Sequence, residues 1–473
     1  MAASTDDDTT PRFVTGSTMR HTIVMTATAS IGLVAIFIVD FANLFYIAQL
    51  GETELAAAIG YAGTLMFFVT SAAIGTTIGI TALVSRALGA GDKKKAQSIG
   101  GTGLIFITIV ISVLSLICFV FLDPFLRALG ATGRTLDVAI GFLQIVIPSM
   151  PLLALGMAMS GLLRAVGDAR RAMYVTLSAG IAAAIMDPIF IFVLDMGVNG
   201  AAVATTLSRL VLVAMGVHGA IHIHRLATWP DFVATKANLV AISAIAGPAI
   251  ATNVATPVGN AIITRAIAPF GDDAVAGWAI VGRIIPVAFG AIFALSGAVG
   301  PILGQNYGAG RLDRVRRAFT DSIIIILVYT AVVWAILFVA REPIVALFDA
   351  TGDARDLVIL FCTWVAGSFI FNGALFVANA SFNNLGFATY STFFNWGKAT
   401  IGTLPFVWLG AQWGGAAGVL MGQAAGALVF GVAALTTAWW TMQKLQPPSK
   451  SDTMETLPAR PEAAPFASGK AAS

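Results

Sequence analysis

Between residues 21 and 442 the chain is an almost unbroken succession of apolar runs, twelve in number, each long enough for the ~20 residues that cross a bilayer. Their approximate limits are 21–50, 55–86, 97–122, 138–164, 172–195 and 198–222 for helices 1 to 6. Helices 7 to 12 fall at 238–268, 275–305, 317–340, 356–382, 389–410 and 415–442. Runs of this length have no solvent but lipid, and in lipid every backbone polar group must be satisfied within its own segment, so each run is predicted to be a helix. The expected fold is an all-α integral membrane protein with 12 transmembrane helices. Charged residues make up only 11% of the chain against about 25% of a soluble domain, which excludes a water-soluble enzyme, a disordered chain and a coiled coil. A net charge of +3 with no basic face gives no sign of nucleic-acid binding. Cys118 and Cys362 lie inside apolar runs without disulfide or metal spacing, and no metal site is expected.

Residues 1–20, with Asp6, Asp7 and Asp8, lack the basic start and cleavage site of a secretory signal and read as a polar cytoplasmic tail. Residues 443–473, rich in Pro, Ala, Ser and Lys, read as a second disordered tail. Lys and Arg of short loops are retained in the cytoplasm. One set of alternate loops, around Arg86–Lys95, Arg164–Arg171, Arg225–Lys236 and Arg311–Arg317, holds thirteen basic residues, whereas the other holds only Arg127, Arg134, Arg341 and Arg355. Both termini are therefore expected inside.

The chain also repeats itself. A shift of 219 superposes Gly89-Ala90-Gly91 on Gly308-Ala309-Gly310, Ala131-Thr132-Gly133 on Ala350-Thr351-Gly352, Asp137 on Asp356 and Gly167 on Gly386. Six helices per repeat is an even number, so both halves enter from the same side and are related about the membrane normal. The expected architecture is two pseudo-symmetric six-helix bundles, an N-lobe at 21–225 and a C-lobe at 238–442, bridged by a cytoplasmic linker at 226–237, with a cleft between them.

Few charges fall inside the runs. Asp40 in helix 1 lies ~15 Å below the outer end, Asp187 in helix 5 ~12 Å, and Arg283 in helix 8 ~12 Å, one shared depth in the outer half of the bilayer. An ionisable group there is expensive and marks function by default, because burial can raise a carboxylate's pKa by ~3 to 5 units into the range of proton exchange. Two alternatives stay open: neighbouring hydroxyls satisfy these carboxylates, or Asp187 caps carbonyls freed by Pro188. Arg283 is either a counter-ion to Asp40 or a snorkelling side chain, and Arg209 sits in the middle of helix 6 with no evident partner. Shifted by 220, Asp40 pairs with Asn260, so the second half keeps a polar group and loses the charge. Met157 and Met186 are candidates for an adaptable apolar lining.

Three stretches resemble the multidrug and toxic compound extrusion family: Val39 to Ala58 (VDFANLFYIAQLGETELAAA), Met186 to Thr205 with its MDPIFIF and GVNGAAVAT, and Val299 to Arg311 with GPILGQNYGAGR. The resemblance covers about residues 20 to 440. It implies the family's two six-helix lobes and cation-driven export of organic, often cationic, compounds from a bacterial cell, across its inner membrane. Carried over residue by residue, it assigns cation coupling to Asp40, Asp187 and the hydroxyl of Thr205. The carboxylates that one branch carries in helices 7 and 10 are missing, since helix 10 offers only Asn372 and Asn379 to a polar cleft beside Asn260. That is similar to the DNA-damage-inducible branch, which also carries an arginine where Arg283 stands. The asparagine usually one turn before the helix 5 carboxylate is Ala183 here, which argues for protons over sodium, a cation that wants several oxygen ligands.

The expected function is a proton-coupled antiporter, acting as a monomer among membrane lipids on small organic cargo, with no cofactor. Alternatives are sodium coupling or a flippase for a lipid-linked precursor. An intramembrane aspartyl protease would want Gly-x-Gly-Asp, and Ala165-Val166-Gly167-Asp168 lacks the first glycine, so no enzyme is expected.

Overall fold

The computed structural model describes residues 11–48, 53–229 and 232–448. Helix 1 is Thr18–Ala48, helix 2 Thr53–Gly89 and helix 3 Lys93–Val120; helix 4 runs through Gly133–Val146 and Met150–Val166, helix 5 through Ala169–Pro188, and helix 6 starts at Gly197–Gly216. In the second half, helix 7 is Phe232–Ile267, helix 8 Asp272–Gly308 and helix 9 Leu312–Leu347, and helix 10 joins Gly352–Thr363 to Phe369–Leu385. Eleven stretches among the described residues are long and apolar enough to span a membrane, the last being Ala388–Lys444, of 57 residues. That last stretch is two helices. The backbone leaves helical geometry at Gly414 and Gly415 and folds back, so that a Cβ on Gly418 would lie 1.9 Å from the Gly410 carbonyl oxygen and one on Gly426 1.6 Å from that of Gly402. Only glycines allow two backbones to come so close. Helix 11 therefore ends at 413 and helix 12 begins at 416, which makes twelve spans.

The two halves share their irregularities at the offset of 219. Gly91 and Gly310, Gly133 and Gly352, and Gly167 and Gly386 all have positive φ, the last pair ending helices 4 and 10. Helix 4 tightens into a 3-10 turn at Ile147–Ser149, and helix 10 does so at Val365–Ser368. In a membrane chain the outward face is also apolar: helix 3 turns Ile107 and Ile111 into the N-lobe core and Ile109, Leu116 and Val120 outward. Large indoles stand exposed at both ends of the last hairpin, Trp408 and Trp413 at one and Trp439 and Trp440 at the other.

The lobes are not closed off from each other. Met25, low on helix 1, packs in a cluster with Leu295, Val299 and Ile302 of helix 8, and Ile242, Ile245 and Ala246 of helix 7 pack into the N-lobe core with Ile80 and Leu162. The first helix of each half thus leans on the other half at the end where the basic loops gather.

One sequence expectation fails here. Residues 11–20 are not a free polar tail: Phe13 is 1% exposed, its N–H donates to Gln305 Oε1 at 2.9 Å, and Arg12 Nη1 donates to the Gly167 carbonyl at 2.8 Å. Helix 1 begins at Thr18, whose hydroxyl donates to Asp321 of helix 9. The segment has an apolar anchor and a set of waiting acceptors, which composition over twenty residues averages away. Residues 1–10 and 449–473 lie outside the described residues, as do two positions of the linker, 230 and 231.

Candidate substrate cavity and coupling site

Along helix 2, a Cβ at Gly75 would meet Ile250 at 2.4 Å, one at Gly79 the Ile242 carbonyl at 3.0 Å, and one at Gly89 the Gln305 carbonyl at 2.0 Å. At Gly60 and Gly63 nothing lies within 4 Å. The lobes are pressed together at the basic end and stand apart toward the other. Between them is a cavity of about 790 Å³, in the range that takes small organic molecules.

Its walls come from both halves. Helices 4 and 6 contribute Met150, Met157, Thr205 and Leu212, helix 7 contributes Ala249, Thr252, Asn253 and Thr256, and helices 10 and 11 contribute Phe376, Asn379, Asn383 and Asn395. The asparagines are tied to one another and to neighbours, Asn395 Nδ2 donating to Asn379 Oδ1 at 2.9 Å and Ser391 Oγ to Asn383 Oδ1 at 2.9 Å. Arg164 and Arg209 also line the cavity, and no carboxylate does so among the described residues.

Of the residues singled out in the sequence, Thr205, Asn379, Met157 and Arg209 line this cavity. Asn260 does not. It continues the stripe of Ala249, Asn253 and Thr256 one turn beyond the last lining position and is exposed there. Asn372 is also elsewhere, inside the C-lobe, where the half-buried Lys398 ammonium donates to its carbonyl oxygen. Met186 is half-buried on helix 5 outside the lining. Arg283 is exposed and makes no ion pair or hydrogen bond with any described residue.

Asp187 is 1% exposed and lies one turn beyond Ala183, the last lining residue of helix 5. The side chain of Asp40 lies outside the described residues, but its level follows from the helix around it. Gly32 faces Thr176, and Gly180 faces Ala35 and Val39, a register that sets Asp187 within about one turn of residue 40. A Cβ on Gly290 would lie 4.0 Å from Val34 across the lobe boundary, and counting outward from there on the antiparallel helix 8 reaches Arg283 opposite residue 40. The three positions do share one level.

Sequence reasoning misses three charged residues at depth. Asp321, 7% exposed, reads as a helix-end residue from the sequence because helix 9 starts at Leu312, five residues before the predicted start. Lys398 carries the same signal as Asp40, an ionisable group within an apolar run, whereas Arg164, counted with the basic loop, belongs to the last turn of helix 4 and lines the cavity.

Two parallel repeats that enclose a cavity closed at one end define a transporter of the alternating-access kind, not an enzyme. The family model MatE matches residues 18–189 and 248–409, and the chain belongs to that family. It is 28% identical over 433 residues to the FAD transporter of Shewanella oneidensis, covering 90% of this chain and 95% of that one. It is 27% identical over 354 residues to the multidrug export protein MepA of Staphylococcus haemolyticus, covering 73% and 77%. Among solved structures, a mutant form of the Vibrio cholerae MATE transporter VcmN superposes with a TM-score of 0.87 at 24% identity, over 90% of this chain and 98% of that one. A structure described as the outward-facing conformation of a multidrug resistance MATE family transporter also scores 0.87, at 20% identity over 92% and 98%. The chain is thus a multi-pass membrane transporter of small molecules.

Proposed function

We propose that the protein exports organic amphiphiles in exchange for protons, with the N-lobe as the coupling lobe and the basic end in the cytoplasm. The observation that carries this reading is the cavity between the lobes, shut at the basic end, with the buried Asp187 one turn beyond its lining and at the level of Asp40. With Lys and Arg loops inside, the state described is open outward. Protonation from outside would neutralise the carboxylates at that level and bend helix 1 against helix 5, expelling cargo; release of the proton inside would reset the pair. Relatives named for FAD and for multidrug export make the cargo a class, organic molecules with a large apolar surface, rather than one compound.

A pH unit supplies ~1.4 kcal/mol per proton, and 100 mV supplies ~2.3 kcal/mol per charge moved, so each carboxylate that exchanges a proton adds about tenfold accumulation per pH unit. Sodium is disfavoured because Ala183 offers no side-chain oxygen one turn from Asp187. The test is efflux of a fluorescent organic cargo from proteoliposomes with pH and sodium gradients imposed separately, on the natural chain and on Asp40→Asn and Asp187→Asn. Transport driven by pH alone and lost in Asp40→Asn supports the reading; transport driven by sodium alone, or undiminished in Asp40→Asn, overturns it.

A further inference from the structure

Among the described residues, the ionisable side chains that line the cavity are two arginines, and neither is ion-paired. Arg209 on helix 6 is 7% exposed. Its Nη1 donates to the Val146 carbonyl at 3.0 Å and to Ser149 Oγ at 2.6 Å, both on helix 4 where that helix tightens. A guanidinium has five N–H donors in a fixed fork; the two bonds account for Nη1, and the donors on Nε and Nη2 meet no described residue. Arg164 lies fifteen residues beyond Ser149 on the same helix, ~22 Å nearer the basic end. It makes one bond, to Ser160 Oγ at 3.2 Å. Neither guanidinium pairs with a described carboxylate, and none of the described carboxylates lines the cavity.

An arginine does not escape this by losing its proton. A desolvated guanidinium with unmet donors is costly until an acceptor arrives, and an oxyanion is the acceptor whose geometry matches the free fork. The cavity lining includes apolar, pliant side chains, among them Met150, Met157 and Phe376. A cation here would meet the Arg209 charge with no described carboxylate in the lining beside it.

We infer that the cargo is an anionic amphiphile, an apolar or aromatic body carrying a phosphate or carboxylate, and that Nε and Nη2 of Arg209 hold the oxyanion while Arg164 sets the charge of the floor. This deepens the reading of the protein as an exporter and is independent of which ion drives it.

The test is binding to the purified full chain in lipid nanodiscs at uniform pH, with no gradient, using riboflavin 5′-phosphate and riboflavin, which differ only in the phosphate, and ethidium as cation. The expected result is that the phosphate ester binds at least about tenfold more tightly than riboflavin, that the ratio falls to about one in Arg209→Gln, and that it falls in part in Arg164→Gln. A ratio of one in the natural chain, tighter binding of ethidium, no binding of any probe, or an unchanged ratio in a folded Arg209→Gln overturns the inference. If Arg209→Gln does not fold, Arg164→Gln decides, and an unchanged ratio there overturns it. Efflux is read separately: loss of pH-driven efflux with the binding ratio intact overturns proton export alone, and pH-driven efflux of a cation with a ratio of one overturns the anion site alone.

Discussion

Arg86 and Gln305 occupy the same place in the two repeats, and each reaches across the lobe boundary to the repeat partner of the other's acceptor. Arg86 Nε donates to the Asn384 carbonyl at 2.8 Å, and Gln305 Nε2 donates to the Ala165 carbonyl at 2.6 Å; residues 165 and 384 are again 219 apart. Both acceptors belong to the last turn of a helix, where carbonyls have no partner within the helix and carry partial negative charge. The closure at the basic end is thus a pair of crossed caps, one charged and one neutral. A bond from a charged donor is worth about 1.5–3 kcal/mol and a neutral one about 0.5–1.5 kcal/mol. Arg86→Ala is therefore expected to open the basic end further than Gln305→Ala, read as distances between spin labels placed at the exposed Lys94 and Arg311. Equal shifts would contradict the charged-cap account.

The crossing of helices 2 and 8 obeys the same symmetry. A Cβ on Gly89 would lie 2.0 Å from the Gln305 carbonyl oxygen, and one on Gly308 2.0 Å from that of Arg86. Backbone cannot step aside as a side chain can. Gly89→Leu or Gly308→Leu alone should hold the lobes apart at the basic end and cut transport at least about tenfold, an expected effect of more than ~1.4 kcal/mol on closure. Gly60→Ala, where nothing stands within 4 Å, should transport as the natural chain does.

The segment before helix 1 is a third fastening. Arg314 donates to the carbonyls of Phe13, Thr15 and Gly16 at 2.8, 3.1 and 2.9 Å, while Phe13 fills the seam beside Gly167. Phe13→Ala should lower stability by up to about 3 kcal/mol, at the low end for a buried aromatic because the short segment can repack. Adding Arg314→Ala should cost less than its own single effect, since both act on one segment; additive losses in thermal unfolding would mean that the two contacts are independent.

Asp168, in the loop between helices 4 and 5, takes hydrogen bonds from Arg171 and His224 at the foot of helix 6. Burial disfavours its charge, but the bonds from His224 and Arg171 outweigh that and hold its carboxyl well below the usual carboxylate range. A carboxyl depressed in the folded state contributes fully above about pH 4, its unfolded value, and the contribution is lost as pH falls through the lower folded value. Between pH 7 and 5 this link should not weaken. Asp168→Asn should lower the melting temperature at pH 7, by about 1–2 kcal/mol in stability, and the gap to the natural chain should close only below pH 4.

Hydrophobic runs were enough to reveal twelve helices, because a bilayer imposes them on sequence directly, and the repeat was legible in the glycine-bearing loops that recur at an offset of 219. Even the hairpin at Gly414 was legible as two separate runs. The cavity was read in part. Thr205, Asn379 and Met157 follow from helix position and resemblance, whereas Asn253 and Asn395 became visible only once the lobes were set at their angle. Lys398 drew Asn372 inward, a pairing between helices that no periodicity encodes. Phe13 was lost for a simpler reason: one anchoring ring in a polar stretch weighs little in composition and much in packing.

Trp413 is 85% exposed and Trp440 53%, and helix 12 rises roughly 36 Å from residue 416 to Trp440, between the hydrocarbon thickness of a bilayer and its thickness with headgroup layers. Indoles settle at that boundary, so the last hairpin acts as a gauge that fixes how high the molecule rides. A body that must rock needs such a fixed waterline. The length of the surrounding acyl chains then becomes a quiet control on turnover, slowing the cycle in any membrane too thin to seat both girdles at once.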